Sequence, residues 1–398
     1  MNEILDSAIV KVRVSKAAFC KFITANDAGA TGSHQRGFYV PIQTWPLLFD
    51  REGVKGSNME RDVEIMWQND FSTKSHFKYY GVGTRNEYRI TNFGRNFPFL
   101  EDSHVGDLLI IARVDNEEYY GYVLSSDDDI ETFFATFNIS SATTNQLIDT
   151  AHLRLPGIQL EECFNQFVAN LRGEYPSTIE MSRRAREGYN ALHKLDDDRK
   201  ISENCDNLLC SWIEAEYLLF RKVEGHWDAK HRPDNMTTEQ LIEYANKLTN
   251  RRRSRAGKSL EHHLAAVFKA SDLKFEEQMT TENNEKPDFI FPGSQEYHCF
   301  EFPAEGLTML GAKTTCKDRW RQVLNEAARI DHKYLFTLQQ GISRNQLKEM
   351  KECNLTLVVP HKYKTFYDRS FWDDIESLGS FVQKVSDKQK NYSKYYII

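Results

Sequence analysis

The chain has 398 residues, with 51 Lys and Arg against 58 Asp and Glu, a net charge of −7, and 40% hydrophobic and 27% charged residues. That length accommodates two cores, the composition is that of a globular rather than a disordered chain, and no apolar run approaches a membrane span. The acidic balance argues against non-specific coating of nucleic acid, although local fields, not net charge, govern phosphate binding.

Seven cysteines at irregular spacings, without a Cys-x-x-Cys pair, fit a reducing compartment rather than disulfides or a zinc site. The N-terminus has no basic segment followed by an apolar one, so a cytoplasmic protein without a membrane anchor is expected.

Residues 1–165 read as mainly strand. Segments 62–68, 75–80, 107–112 and 118–124 are rich in aromatic and β-branched residues and are punctuated by Gly and Asn, the pattern of a barrel or sandwich. Two loops stand out. One, residues 24–37, holds Asn26, His34, Gln35 and Arg36 among small residues; the other, from Gly83, holds Thr84, Arg85, Asn86, Glu87 and Arg89, with Arg95 soon after. Small residues allow close backbone approach, and these side chains can reach phosphates or base edges. On composition alone an ordinary glycine-rich turn and a mixed-charge hairpin account for them better.

After Leu155-Pro156-Gly157 the periodicity becomes helical. Helices are expected over 158–171, 178–195, 205–223 and 237–250, with a break at 173–177 that marks a linker within 166–180. Five of the eight residues in 251–258 are cationic, which suggests either a solvated basic turn or a segment that grips phosphate. An amphipathic helix over 259–270 follows, with Glu261 in its first turn, where a carboxylate suits the helix dipole.

The most informative stretch is 286–326. Lys286-Pro287-Asp288-Phe289-Ile290-Phe291 opens a short apolar strand, and a second apolar segment ends at Lys313. This is the outline of a metal-dependent nuclease core, in which carboxylates hold Mg²⁺ against the scissile phosphate and a cation steadies the attacking water. The usual pattern puts an acidic residue two positions before the lysine, on the same strand face. Gly311 stands there instead. A charged helix over 317–330 would place Arg319, Gln322 and Glu326 on one face, making Glu326 the replacement carboxylate. Parallel strands at 333–338 and 355–360, a helix at 343–352 between them and a closing helix at 371–383 complete a mixed α/β sheet.

Lys286-Pro287-Asp288-Phe289, Tyr297-His298, Glu301-Phe302-Pro303 and the run from Lys313 to Gln322 resemble the catalytic half of the EcoRII family of type II restriction endonucleases. So does Ser254-Arg255-Ala256-Gly257-Lys258-Ser259-Leu260-Glu261, and the N-terminal half carries similar runs. The resemblance implies a B3-like pseudobarrel effector domain over 1–165 and a PD-(D/E)xK endonuclease domain over 181–398. It implies a type IIE enzyme, a twofold dimer, that cuts double-stranded DNA at CCWGG-like sites. Asp288 and Glu326 would hold Mg²⁺, Lys313 would position the water, and Glu261 would approach from its helix. Lys317, Asp318 and Arg319 would read C and G, since Arg and Lys donate to guanine and Asp accepts from cytosine. The two N-terminal loops would contact effector DNA, with Gly83 standing where the family has a lysine. A methyltransferase is expected in the same system, without physical contact. Tyr297 is a tyrosine position of the family and reads as a core residue or a nucleophile. The competing class is a non-catalytic B3-like DNA-binding regulator with a degenerate nuclease half.

Overall fold

A computed structural model describes residues 3–29, 37–148, 158–171, 175–232 and 235–396. The chain forms two compact units. The first is Met1–Arg154 together with Gln339–Leu347 and Thr365–Phe371; the second is Leu155–Leu338, Lys348–Lys364 and Trp372–Ile398.

The first unit contains α1 (Glu3–Val14), β1 (Ala17–Phe22), β2 (Phe38–Val40), α2 (Trp45–Leu48), β3 (Met59–Trp67), β4 (Phe71–Tyr80), β5 (Glu87–Thr91), β6 (Leu108–Arg113), β7 (Tyr119–Leu124), α3 (Asp127–Phe137) and β8 (Gln146–Leu147). Its strands lie in the order β2-β5-β4-β3-β7-β6-β1-β8. The β3–β7 pairing is parallel, and the other neighbours are antiparallel. Phe38 and Val40 of β2 share one apolar core with Phe19 of β1 and with Leu147 of β8, so the sheet curls until its two ends meet a common interior. Strands β3 and β4 alternate buried and exposed positions around that core, as strands with one wet face do. Strands β1, β6 and β7 are buried on both faces, because Ala18, Phe22, Ile110 and Leu124 pack under α1 and α3. The acidic run at Asp127 starts α3, where Ser126 caps the helix by accepting the Asp129 N–H.

The second unit contains α4 (Ile158–Ala169), α5 (Thr178–His193), α6 (Asp198–Glu203), α7 (Cys205–His231), α8 (Thr238–Ala270), β9 (Glu276–Glu277), β10 (Phe289–Phe291), α9 (Ser294–His298), β11 (Thr308–Lys313), β12 (Lys333–Thr337), α10 (Arg344–Glu352), β13 (Leu355–Val359), β14 (Ile375–Ser377) and α11 (Leu378–Tyr392). The sheet order is β14-β13-β12-β11-β10-β9. Strands β11 to β14 run parallel, while β9, β10 and β11 are antiparallel neighbours. This is the mixed sheet expected from the sequence.

Four expectations need correction. The boundary falls at 154/155 rather than 165, because Leu160, Phe164 and Val168 of α4 join the core of α5 and α7. The first unit also takes in two stretches of the expected 181–398 domain; Gln340 Nε2, for example, donates to the Ser141 carbonyl at 2.9 Å. Residues 251–258 are not a turn but the middle of α8, which begins at a capping box formed by Thr237 and Gln240. Their cations are used internally. Arg252 chelates Glu224 of α7 at 2.6–3.1 Å, Arg251 sits over the Tyr175 ring, and Arg255 is buried over Tyr217 and Phe220. Finally, the closing helix starts at Leu378 rather than 371, where Ser377 caps it. Of the expected linker, residues 172–174 lie outside the described residues.

Candidate active site

Asp288 immediately precedes β10, and Phe289 pairs with Leu310 of the antiparallel β11. That register sets Asp288 opposite Gly311, and side chains two apart on β11 share a face. Asp288 therefore faces the same side as Lys313. Its buried carboxylate is fully partnered: Oδ2 accepts the Ala312 N–H at 2.7 Å and Lys313 Nζ at 3.2 Å, and Oδ1 accepts Gln278 Nε2 at 2.9 Å. A backbone amide, an amide side chain and a cation hold the oxygen atoms in a fixed orientation.

Glu261 reaches the same place from α8. Its Oε2 accepts Lys258 Nζ at 2.6 Å and Gln278 Nε2 at 3.3 Å. The Gln278 amide thus lies between Glu261 and Asp288. Burial raises the Glu261 carboxyl, the Lys258 hydrogen bond opposes that rise, and the Asp288 charge adds to it.

The segment after β11 departs from expectation. Lys317, Asp318 and Arg319 lie in a turn, and Trp320–Asn325 is a 3-10 helix, not the middle of an α-helix over 317–330. Trp320 and Val323 are its buried residues. A spacing of three is satisfied by three residues per turn as well as by 3.6, so burial periodicity could not separate the two. Arg319, Gln322 and Glu326 consequently share no α-helical face, and Glu326 stands in extended backbone at the end of the 3-10 helix.

Glu326 nevertheless belongs to the cluster. It is 9% exposed, and its Oε2 is buried with no hydrogen-bond partner. Burial pushes its carboxyl up to about 7; Lys313 lowers it, while Asp288 and Glu285 raise it further. At the usual acidic position the strand leaves no room for a side chain. A Cβ at Gly311 would meet the Val323 methyls at 2.9 and 3.2 Å, so Val323 of the 3-10 helix fills the space of a side chain at the usual acidic position.

The structure thus brings Asp288, Lys313 and Glu261 together, with Glu326 near enough for the charges of Asp288 and Lys313 to act on it. Sequence reading missed Gln278, which carries no motif, and Lys258, whose i, i+3 spacing to Glu261 is a helix-pair signal. The donor set consists of hard oxygens with an orphaned buried one among them, which fits Mg²⁺. Among the described residues, the three-residue carboxylate and histidine group with closely placed ligand atoms is elsewhere: Glu60, Asp62 and His76 on β3 and β4. There Glu60 pairs with Lys78 at 3.2 Å, and His76 bonds to Asp62 and to Asn92, so the group reads as a cross-strand charge ladder.

Arg319 donates to the carbonyl and hydroxyl of Thr315 at 3.0 and 2.7 Å. Tyr297 is buried to 1% and donates to Glu282 Oε2 at 2.5 Å; burial and the Glu282 carboxylate push its hydroxyl up, away from a nucleophile's range.

In the first unit, Thr84, Arg85 and Arg95 are exposed, and Asn86, also exposed, accepts the Tyr79 hydroxyl at 2.6 Å. Glu87 and Arg89 form an ion pair at 3.2 Å on β5, with Arg89 buried. Asn26 is exposed, and His34, Gln35 and Arg36 lie outside the described residues. Sequence reading also missed Asp27. Its buried carboxylate accepts Lys21 Nζ at 2.6 Å, the Thr24 amide and hydroxyl, and the Tyr39 N–H, tying the start of this loop to β1 and β2.

Two family models match this chain. Residues 13–146 match the family described as restriction endonuclease EcoRII, N-terminal, and residues 220–382 match EcoRII C terminal. The type II restriction enzyme EcoRII of Escherichia coli is 34% identical over 391 residues, covering 92% of this chain and 93% of its own length. The type II restriction enzyme SsoII of Shigella sonnei is 27% identical over 128 residues, 30% of this chain and 41% of its own. Among solved structures, metal-depleted Ecl18kI in complex with uncleaved DNA aligns with a TM-score of 0.45 at 18% identity, covering 61% of this chain and 88% of that one. A PspGI–substrate DNA complex aligns with a TM-score of 0.44 at 13% identity, covering 54% and 94%.

Proposed function

This chain belongs to the EcoRII family of type II restriction endonucleases, and we propose that it hydrolyses double-stranded DNA with Mg²⁺ at a short CCWGG-like site. The observation that carries the chemistry is the Glu326 oxygen, buried without a partner beside the Asp288–Lys313 pair. Asp288 and Glu326 hold the metal, which when bound supplies Lewis-acid stabilisation of the phosphate and a more acidic water. Lys313 orients the water and offsets charge on the phosphate. Glu261, tied to Asp288 through Gln278, completes the outer layer. Lys317, Asp318 and Arg319 follow the catalytic strand directly and read C·G pairs.

The curled first unit serves as a B3-like pseudobarrel that binds a further copy of the target and restrains cleavage until it does so, as in a type IIE enzyme. The loops holding Asn26, His34, Gln35 and Arg36, and Thr84, Arg85, Asn86, Glu87, Arg89 and Arg95, make those contacts. A nearly palindromic site calls for a twofold homodimer. The protein works in the cytoplasm beside a separate methyltransferase; no helix among the described residues is long and apolar enough to cross a membrane.

The deciding experiment is incubation of the purified chain with one-site and two-site plasmids, with and without Mg²⁺. Site-specific cleavage only with Mg²⁺, faster on two sites, is expected. Equal rates on both plasmids overturn the effector role, and cleavage without a divalent cation overturns the metal assignment.

A further inference from the structure

The backbone after Glu326 is held by a hydrogen-bonded arrangement around the buried Tyr297 that the proposed chemistry does not use. Ala327, the next residue, is 1% exposed and adopts φ +52°. A non-glycine residue in the left-handed region persists where its surroundings over-determine it. Two residues later, Arg329 supplies the constraint. Its guanidinium donates to the carbonyl of Glu296 at 3.2 Å and to those of Tyr297 and Phe302. Its backbone N–H points to the Tyr297 hydroxyl at 3.4 Å. That hydroxyl donates to Glu282.

These contacts span the site. Glu282 lies six residues before Asp288, Tyr297 is on α9, and Arg329 lies three residues after Glu326. The bridge therefore ties the segment leading into one proposed metal carboxylate to the segment leaving the other. We propose that Glu282, Tyr297 and Arg329 are positioning residues that set the spacing of Asp288 and Glu326 for the metal. Tyr297 then acts through its hydroxyl's bond to Glu282 and forms no covalent bond with DNA. An arrangement of this kind tunes metal affinity, as partners behind ligating groups generally do.

The inference rests on the assignment of Glu326 to the metal, and the test separates the two. Full-length Tyr297→Phe, Glu282→Gln and Arg329→Gln proteins are compared with Glu326→Gln in two readouts. One is thermal stabilisation against MgCl₂ concentration; the other is specific DNA binding without metal. Each bridge variant is expected to raise the half-saturating Mg²⁺ about tenfold while binding DNA as the unaltered chain does. Tyr297→Phe combined with Glu282→Gln should be no worse than the more affected single variant, because both break one link. Arg329→Lys covers the case in which Arg329→Gln fails to fold, and should shift the Mg²⁺ requirement in the same direction. Bridge variants that bind Mg²⁺ normally beside an impaired Glu326→Gln overturn the bridge alone. If Glu326→Gln also binds Mg²⁺ normally, the metal assignment fails and takes the bridge with it. A Tyr297→Phe protein with normal Mg²⁺ binding but no cleavage, beside active Glu282→Gln, overturns the positioning role in favour of direct chemistry.

Discussion

The two proposed metal carboxylates sit in opposite surroundings. Asp288 enters a regular strand pair, and both of its oxygens accept hydrogen bonds from Gln278, Ala312 and Lys313. Glu326 leaves a 3-10 helix into irregular backbone, and one of its oxygens is buried with no partner. The first is pre-oriented by regular structure; the second has an oxygen that the protein itself leaves unsatisfied, where the proposed cation would bind. Breaking the strand side should therefore remove chemistry outright, whereas breaking the irregular side should show first in metal use. Asp288→Asn and Lys313→Ala are expected to lose cleavage by at least roughly 1,000-fold, about 4 kcal/mol of transition-state stabilisation. Specific binding measured by gel shift without metal should be largely kept. Cleavage by Lys313→Ala at saturating Mg²⁺ would sink the assignment.

The contrast can be sharpened by moving the carboxylate back to the strand. Gly311→Asp should destabilise the fold by about 3–5 kcal/mol, since it overpacks against Val323 and buries an acid without prepared partners. Adding Val323→Ala should recover part of that loss in a denaturant titration. If Gly311→Asp alone is as stable as the unaltered chain, the space at the strand is not taken and another reason for the glycine is needed.

A subtler break compares carboxylates. Glu326→Gln is expected to raise the Mg²⁺ needed for half-maximal cleavage about 10–100-fold. The exposed Glu301 and Glu305 serve as controls, and their Gln variants should stay within roughly twofold, as surface changes away from a site usually do. A dead Glu301→Gln beside an active Glu326→Gln reverses the comparison.

The same contrast decided what was legible in the sequence. Asp288 and Lys313 could be read because strand alternation is a simple period and Pro-Asp marks a strand start. Glu326 was singled out on an α-helical face that does not form: the spacing of buried residues after Lys313 suits an α-helix and a 3-10 helix alike. The basic run in α8 was ambiguous for a different reason. Arg252 finds Glu224 and Arg255 finds Glu216, 28 and 39 positions away in sequence, and a local pattern cannot tell such pairing from phosphate binding. β1 and β5 were hidden by Lys21 and Arg89, buried charges whose partners Asp27 and Glu87 neutralise them only once the fold brings them together.

The smallest expected effect isolates the orphaned oxygen without any turnover. Burial raises the Glu326 carboxyl to about 7, above its ordinary range near 4.5. In the folded, metal-free protein it therefore keeps its proton through a window where the unfolded chain has lost it. The native state binds more protons there, so stability falls as pH rises from about 4.5 to 7 and levels off above. A shift of this size amounts to on the order of 3 kcal/mol by pH 8. Glu326→Gln lacks this loss. The variant should match the unaltered chain near pH 4 and exceed it in metal-free stability at pH 8. Mg²⁺ should then close the gap at pH 8 by stabilising only the chain that carries the carboxylate, because a ligand of the folded state raises stability by mass action. Denaturant titrations at the two pH values, with EDTA or with Mg²⁺, read all four quantities. A stability difference that does not grow with pH, or a variant that gains as much from Mg²⁺ as its parent, would mean that Glu326 is an ordinary buried acid and that the metal is held elsewhere.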